Sequence, residues 1–240
     1  MTGEHHPPLG RSIRTVSQPK PGGGERRLHV LGPREAAAYA QAVSRVAPAI
    51  ERRLGPEVFA NRGPGARSLE PWRRARSRWR RAAADLLRSG PVATMDVVRC
   101  YDLIAPEMVG AALEASGASH ADGEEIVRLL RLFRDAGVEG IPVGPDPSAV
   151  LANAVLAAVD ETLRRRRFRF VRWVDDLVIS AQGSRDLGAG ELAVESALAR
   201  IGLTSNAAKH HRFQDPEMAC AFVLRGGGGA ASGLEILGGP

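Results

Sequence analysis

The chain has 240 residues, 33 basic against 27 acidic side chains, a net charge of +6 and a sequence pI near 10.3; only Lys20 and Lys209 are lysines, the other cations being arginines. That length carries one large domain or two small ones with a core of their own, and the longest apolar stretch, Ala149 to Val159, is about half of a membrane span and is broken by Asn153. No membrane span, secretory leader or disulfide framework is expected; the composition points to a cytoplasmic protein with a polyanionic partner, Cys100 and Cys220 serving as small hydrophobes.

Residues 1–19 have no apolar period and read as a flexible arm. Lys20 to Leu31, KPGGGERRLHVL, reads as a hairpin around a Gly-rich turn. From Glu35 to Leu54, Tyr39, Val43, Val46 and Ile50 recur at helical spacing, with Pro48 as a kink or an end. After a loop at 55–67, Ser68 is a suitable N-cap for a helix with Pro71 in its first turn and Leu69, Trp72, Trp79 and Leu86 on one stripe. Six of the nine residues from Arg73 to Arg81 are arginines, and a solvated helix face is a simpler explanation of them than a nucleic-acid track.

Pro91 to Asp96 is a short strand ending on a carboxylate, followed by a helix from Pro106 to Ala115 and another carrying Ile126, Leu129, Leu130 and Phe133. The loop GIPVGPDPS enters an apolar helix from Pro147 to Leu163. Phe168 to Ser180, FRFVRWVDDLVIS, reads as a β-hairpin with Asp175 and Asp176 at its tip. A helix from Glu191 to Ile201 and a strand at His210 to Phe213 end the pattern, with His210 and His211 as plain strand residues and 214–240 as a disordered, Gly-rich tail.

Chemistry concentrates on Asp96, Asp175 and Asp176. If their strands lie side by side, the three carboxylates meet at one end of a sheet and repel, unless a hard divalent cation compensates them. Mg²⁺ is the natural candidate, and two such ions about 3.5 to 4 Å apart activate an attacking hydroxyl and hold the leaving oxygen in phosphoryl transfer. An isolated Asp-Asp turn is more often merely solvated, so its neighbours decide.

Those neighbours resemble bacterial reverse transcriptases from about Lys20 to Phe213. KPGGGERRL is similar to the fingers motif, MDVVRCYDLI to the first palm motif, GIPVGPDPSAVLAN to the loop and helix under the nascent base pair, RWVDDLVI to the Y-x-D-D signature, and IGLTSNAAKHHRF to the helix and strand that follow. The resemblance implies an α+β right-hand polymerase core, with fingers at 20–88 and a ferredoxin-like palm at 89–213. It implies an RNA-directed DNA polymerase that adds dNTPs to a primer 3′-hydroxyl. Asp96 (with the Val97 carbonyl), Asp175 and Asp176 would hold two Mg²⁺, or Mn²⁺. Lys20 and Arg26 would bind the triphosphate, Tyr101 would crowd a ribose 2′-hydroxyl, Gly144 would serve the turn under the base pair, and Lys209 would stand at the departing pyrophosphate. The partners implied are dNTPs and an RNA or DNA primer-template.

Departures from the family accompany the matches. Val143 stands where the family has Gln, and Trp173 replaces the usual Tyr as an aromatic platform for the primer end. The spellings P-V-G-P-x-x-S and R-W-V-D-D resemble abortive-infection and other phage-defence reverse transcriptases most. The expected primer grip and thumb have no counterpart after Phe213, a role left to a partner chain or RNA. Arg164 to Arg167, Arg169 and Arg172 fit either phosphate contacts or helix-end pairing, and Arg62 in VFANR fits a template or nucleotide contact. Two alternatives stay open: a template-independent or ribonucleotide polymerase on the same palm, and a non-catalytic RNA-binding module.

Overall fold

A computed structural model of the chain describes residues 12–19, 24–65 and 68–225. Strands β1 (Ile13–Pro19) and β2 (Glu25–Leu31) pair antiparallel from Ile13↔Leu31 to Pro19↔Glu25. The supposed arm at 1–19 therefore contains a strand: Ile13, Thr15 and Val16 are β-branched and find partners across the Gly-rich turn, while Ile13 and Leu31 pack on the main core. Lys20 and the glycines of the turn up to 23 lie outside the described residues.

Helix α1 (Pro33–Arg53) continues through Pro48, and buries Tyr39, Val43, Val46 and Ile50 as their spacing predicts. Helix α2 (Trp72–Leu87) starts three residues later than a Ser68 cap would allow, with Pro71 itself at the cap position. The cause is local, because a proline drives the residue before it out of helical geometry. Strand β3 (Val92–Met95) is followed by the short α3 (Cys100–Leu103), then α4 (Pro106–Ala115), α5 (His120–Asp135) and α6 (Asp146–Arg165). The hairpin is β4 (Arg169–Trp173) and β5 (Asp176–Ser180); α7 (Ser184–Arg200), a 3-10 turn at Ala207–Lys209 and β6 (His211–Phe213) follow.

The strand order β4-β5-β3-β6, antiparallel throughout, makes β3 to β6 with their crossover helices a split β-α-β arrangement of ferredoxin-like type, within a mixed α+β fold. Both faces of this sheet are covered. Met95, Phe170, Leu177 and Ile179 join α1, α5, α6 and α7 in the larger core. Val92, Val171, Trp173 and Val178 face the opposite way, toward α2 and a last helix, α8 (Pro216–Arg225). Because the larger core runs from Tyr39 to Leu203, α1 and the sheet share one interior.

Helix α8 corrects the expectation of a disordered tail from 214 onward. Asp215 caps it, its carboxylate accepting from the Glu217 N–H at 2.7 Å, Pro216 opens it, and Ala219 and Val223 bury one turn apart. Residues 226–240 lie outside the described residues. Among the described residues no helix is long and apolar enough to cross a membrane.

The β1–β2 hairpin is tied to the loop before α6 by His29 and by an Arg27–Glu139 ion pair at 2.6 Å. The His29 N–H donates to the Val143 carbonyl at 2.8 Å, and the Val143 N–H donates to His29 Nδ1 at 3.0 Å. That bond requires Nδ1 to be unprotonated. Burial lowers the His29 pKa from its ordinary 6.5, against the opposing charges of Asp102 and Glu139 and with the help of Arg27. The unfolded chain therefore takes up the proton first, so stability is complete above about pH 6.5 and falls as pH drops toward the folded-state value. Melting temperatures between pH 7.5 and 5 should show this decline, and His29→Asn, which keeps an acceptor and does not titrate, should flatten it.

Candidate active site

The β4–β5 hairpin closes Trp173 against Asp176, leaving Val174 and Asp175 as a two-residue turn. Val174 has φ 54°, a left-handed conformation that glycine ordinarily supplies and a β-branched residue adopts only when held there. Arg172 holds it. Its guanidinium donates to the Val174 carbonyl at 2.7 Å, to Asn153 Oδ1 at 2.9 Å, and to both Asp160 oxygens at 2.8 and 2.7 Å. Asn153 in turn donates to the Ala60 carbonyl at 2.9 Å. Arg172, Asp160 and Asn153 are all buried, so the hairpin tip, α6 and the loop after α1 are locked by one internal polar network.

Asp96 follows β3 directly, and the register Met95↔Leu177 sets it beside the hairpin tip. The chain segment before Lys209 secures it: the Asn206 N–H donates to the Asp96 carbonyl at 2.7 Å and Asn206 Nδ2 to Oδ1 at 3.2 Å. Lys209 Nζ bonds Oδ2 at 2.9 Å. Burial pushes the carboxyl of Asp175 up, as does the charge of Asp96; burial pushes Asp176 up too, reinforced by Asp175 and Asp96. Three carboxylates from distant parts of the chain thus meet and repel, as their placement in the sequence predicted.

They form the floor of an open cleft of about 1480 Å³. Arg26 on β2 lines it and lowers the pKa of both Asp175 and Tyr101 by its charge. Tyr101 on α3 is half-buried in the same wall, with burial first among the causes that raise its hydroxyl pKa. Its carbonyl accepts from the Ile141 N–H at 3.0 Å, an approach that needs Gly140, where a Cβ would stand 2.3 Å from that oxygen. Gly144 also lines the cleft, at φ 120°, a conformation closed to side-chain-bearing residues. Arg76 of α2 lies over the rings of Trp79 (4.1 Å) and Trp173 (4.9 Å), and its charge acts on Asp176.

Other residues that the sequence singles out have partners of their own. Lys209, expected at a departing pyrophosphate, is ion-paired with Asp96; burial works to lower its pKa, but the hydrogen bond and charge of Asp96, with Asp176 and Asp175, outweigh it and raise the value. Trp173 is not an open platform, being buried beside Trp79 (ring centroids 6.1 Å apart) and covered by Arg76. Arg62 bonds Glu51 (2.8 Å) and the Gly55 carbonyl (2.6 Å), shaping its own loop. Arg164 to Arg167 sit at the end of α6 away from the cleft, about 28 Å along the helix from Asp146, and Arg164 pairs with Glu57 at 2.9 Å. Arg172 leaves that cluster altogether and is internal.

Asn206 and the Arg172 network were not legible as site residues. A signal existed in Asn153 and Asp160, polar residues seven apart among the apolar residues of α6, and in Arg172 at an inward strand position. Among the described residues no three His, Cys, Asp or Glu side chains form a ready-made metal site. The donor set nevertheless suits a hard divalent cation: carboxylate oxygens, with the charge of Asp96 acting on Asp175 and the charges of both acting on Asp176.

No family model and no curated protein matches the chain. Among solved structures it is similar to telomerase from Candida albicans, in complex with the TWJ fragment of telomeric RNA, at 13% identity and a TM-score of 0.55. The match covers 84% of this chain and 41% of that one, so the chain spans about two fifths of its neighbour and shares a fold with it.

Removing Arg172 strands a buried carboxylate. Arg172→Met should lower unfolding free energy in urea by about 3–5 kcal/mol, and adding Asp160→Leu should recover most of that deficit.

Proposed function

We propose that this chain is a reverse-transcriptase-like nucleotidyltransferase that extends a primer 3′-hydroxyl with dNTPs on an RNA or DNA template. The observation carrying the proposal is the meeting of Asp96 with the Asp175–Asp176 turn on the floor of a cleft walled by arginines, on a fold shared with a telomerase that binds RNA. Asp96, Asp175 and Asp176 would hold two Mg²⁺, or Mn²⁺. Bound there, the ions supply the positive charge that lowers the pKa of the attacking hydroxyl and stabilises the leaving oxygen.

In the reaction the primer O3′ bonds to the α-phosphorus of the dNTP, the bond to the pyrophosphate oxygen breaks and pyrophosphate leaves, and the hydroxyl proton passes to solvent water. Arg26, with Lys20, binds the triphosphate opposite Asp175. Tyr101 and Gly144 shape the sugar and base pocket, Tyr101 by its bulk and Gly144 by the turn only glycine allows. Lys209 is a fixed cation first: with its pKa raised it stays protonated, balancing Asp96 in the free protein and available to the pyrophosphate once that balance is supplied otherwise. Placement and charge stabilisation supply most of the rate in such chemistry. The motif spelling extends the proposal to a role in phage defence.

A non-catalytic RNA-binding module is the second reading, favoured by the Lys209–Asp96 ion pair, which already neutralises one of the three carboxylates. Asp175→Asn separates the two: dNTP incorporation should vanish with an unchanged melting temperature, and unchanged incorporation overturns the polymerase. Tyr101→Ala should raise rNTP use relative to dNTP use by about 10- to 200-fold in kcat/KM, the range for adding or removing a small steric block. An unchanged ratio removes Tyr101 from sugar selection.

A further inference from the structure

Helix α2 carries its six arginines on two different flanks. Arg74 and Arg78 turn toward the loop that precedes the helix and pair with Glu70, at 3.6 and 2.8 Å. Arg73, Arg76, Ser77, Arg80 and Arg81 recur at i, i+3, i+4, i+7 and i+8, and all five line the cleft above the carboxylates. Of these, Arg73, Arg80 and Arg81 are exposed and, among the described residues, make no ion pair or hydrogen bond. Arg76, half-buried on Trp79 and Trp173, anchors the row. Trp72, 40% exposed, stands at the N-terminal end of the same wall.

Three exposed guanidinium groups in a row, with no acidic residue among them, repel one another, so folding alone gives no reason for the pattern. A solvated face would mix in acids or turn away from the cleft. From Arg73 to Arg81 the ridge is about 12 Å long at 1.5 Å per residue, matching three to four nucleotides of one strand at about 3.4 Å each. The aromatic ring at one end adds a stacking surface for a base. Packing fixes the ridge relative to the carboxylates, since α2 rests on β4 and β5, the strands whose turn carries Asp175, while the β1–β2 hairpin rests on α1.

We infer that the cleft face of α2 is a sequence-independent grip for the sugar-phosphate backbone of one nucleic-acid strand running past Asp176, with Arg73 at one end and Arg80 and Arg81 at the other on phosphates about three nucleotides apart, and Trp72 under a base. The inference rests on the polymerase reading for its substrate, a strand ending at the carboxylates, but not for its measurement. Binding of a fluorescein-labelled RNA–DNA duplex with a recessed 3′ end is followed against salt, in EDTA and without dNTPs.

The combined variant Arg73→Gln, Arg80→Gln, Arg81→Gln should make the slope of log K against log salt shallower by about 2 to 3, near 0.9 for each phosphate the protein ceases to neutralise. The comparison variant Arg165→Gln, Arg166→Gln, Arg169→Gln carries the same change in charge at the far end of α6 and the start of β4 and should leave the slope as it is. Equal slopes for the two variants overturn the grip, as does equal competition by polyglutamate and by unlabelled duplex, which would assign the ridge to an acidic protein. Trp72→Ala should weaken binding about 5- to 150-fold if a base stacks there. Should Asp175→Asn incorporate dNTPs normally while the α2 variant still shows the shallower slope, the polymerase reading falls and the grip stands.

Discussion

The active geometry depends on one buried cation. Arg172 spends four of its five N–H donors on Asp160, Asn153 and the Val174 carbonyl, and no part of that network reaches water. Burying an ion pair costs most of what its attraction returns, so it contributes little net stability against an apolar core of equal volume. What it provides is a single shape. Val174 has every steric reason to leave its positive φ, and Arg172 is the hydrogen-bond donor that keeps its carbonyl in place. Because Asn153 also receives the chain at Ala60, the same cation sets the loop that runs along β4 and pairs with Arg172 through the Glu57 carbonyl and the Phe59 N–H.

Around that constraint the molecule separates hydrophobic from electrostatic duties. The four-stranded sheet is packed on both faces, which leaves only its ends for polar work. At one end three carboxylates gather, and cations come to them from three separate elements: Arg26 from β2, Arg76 from α2 and Lys209 from the turn before β6. Each acts at a different carboxylate or from a different side, so no single pair neutralises the cluster. Burial, reinforced by the residual repulsion, raises the pKa values of Asp175 and Asp176.

Much of this was legible in the sequence where periodicity and motif agree. Helices α1, α4, α5 and α6, strand β3 and the Asp175–Asp176 hairpin fall within a few residues of their predicted places, since their apolar spacing reflects the core they bury. Errors occurred where a local signal overrode a tertiary one. Ser68 looks like a cap, but Pro71 resets the helix start; α7 begins at Ser184 rather than Glu191, with Gly190 inside it letting Phe168 and Ile179 approach. Asp215-Pro216 is a sound helix start, masked by the glycines that follow. At the site, charge was readable and pairing was not: Arg172 and Arg164 look alike in a run of arginines, and only the alternation of β4 distinguishes the inward residue from the outward ones.

The bond pair between His29 and Val143 also has a mechanical meaning. The β1–β2 ribbon is held to the body near its base, and β2 extends from His29 to Glu25 over four residues, about 13 Å at strand rise. It is an arm tethered farther out by the Arg27–Glu139 ion pair at 2.6 Å and held at His29. A tilt of about 5° there carries Glu25 through roughly 1 Å, while the strands of the sheet stay where they are. Since Arg26 rides on that arm and its charge is felt at Asp175, any displacement of the ribbon would alter the field over the carboxylates.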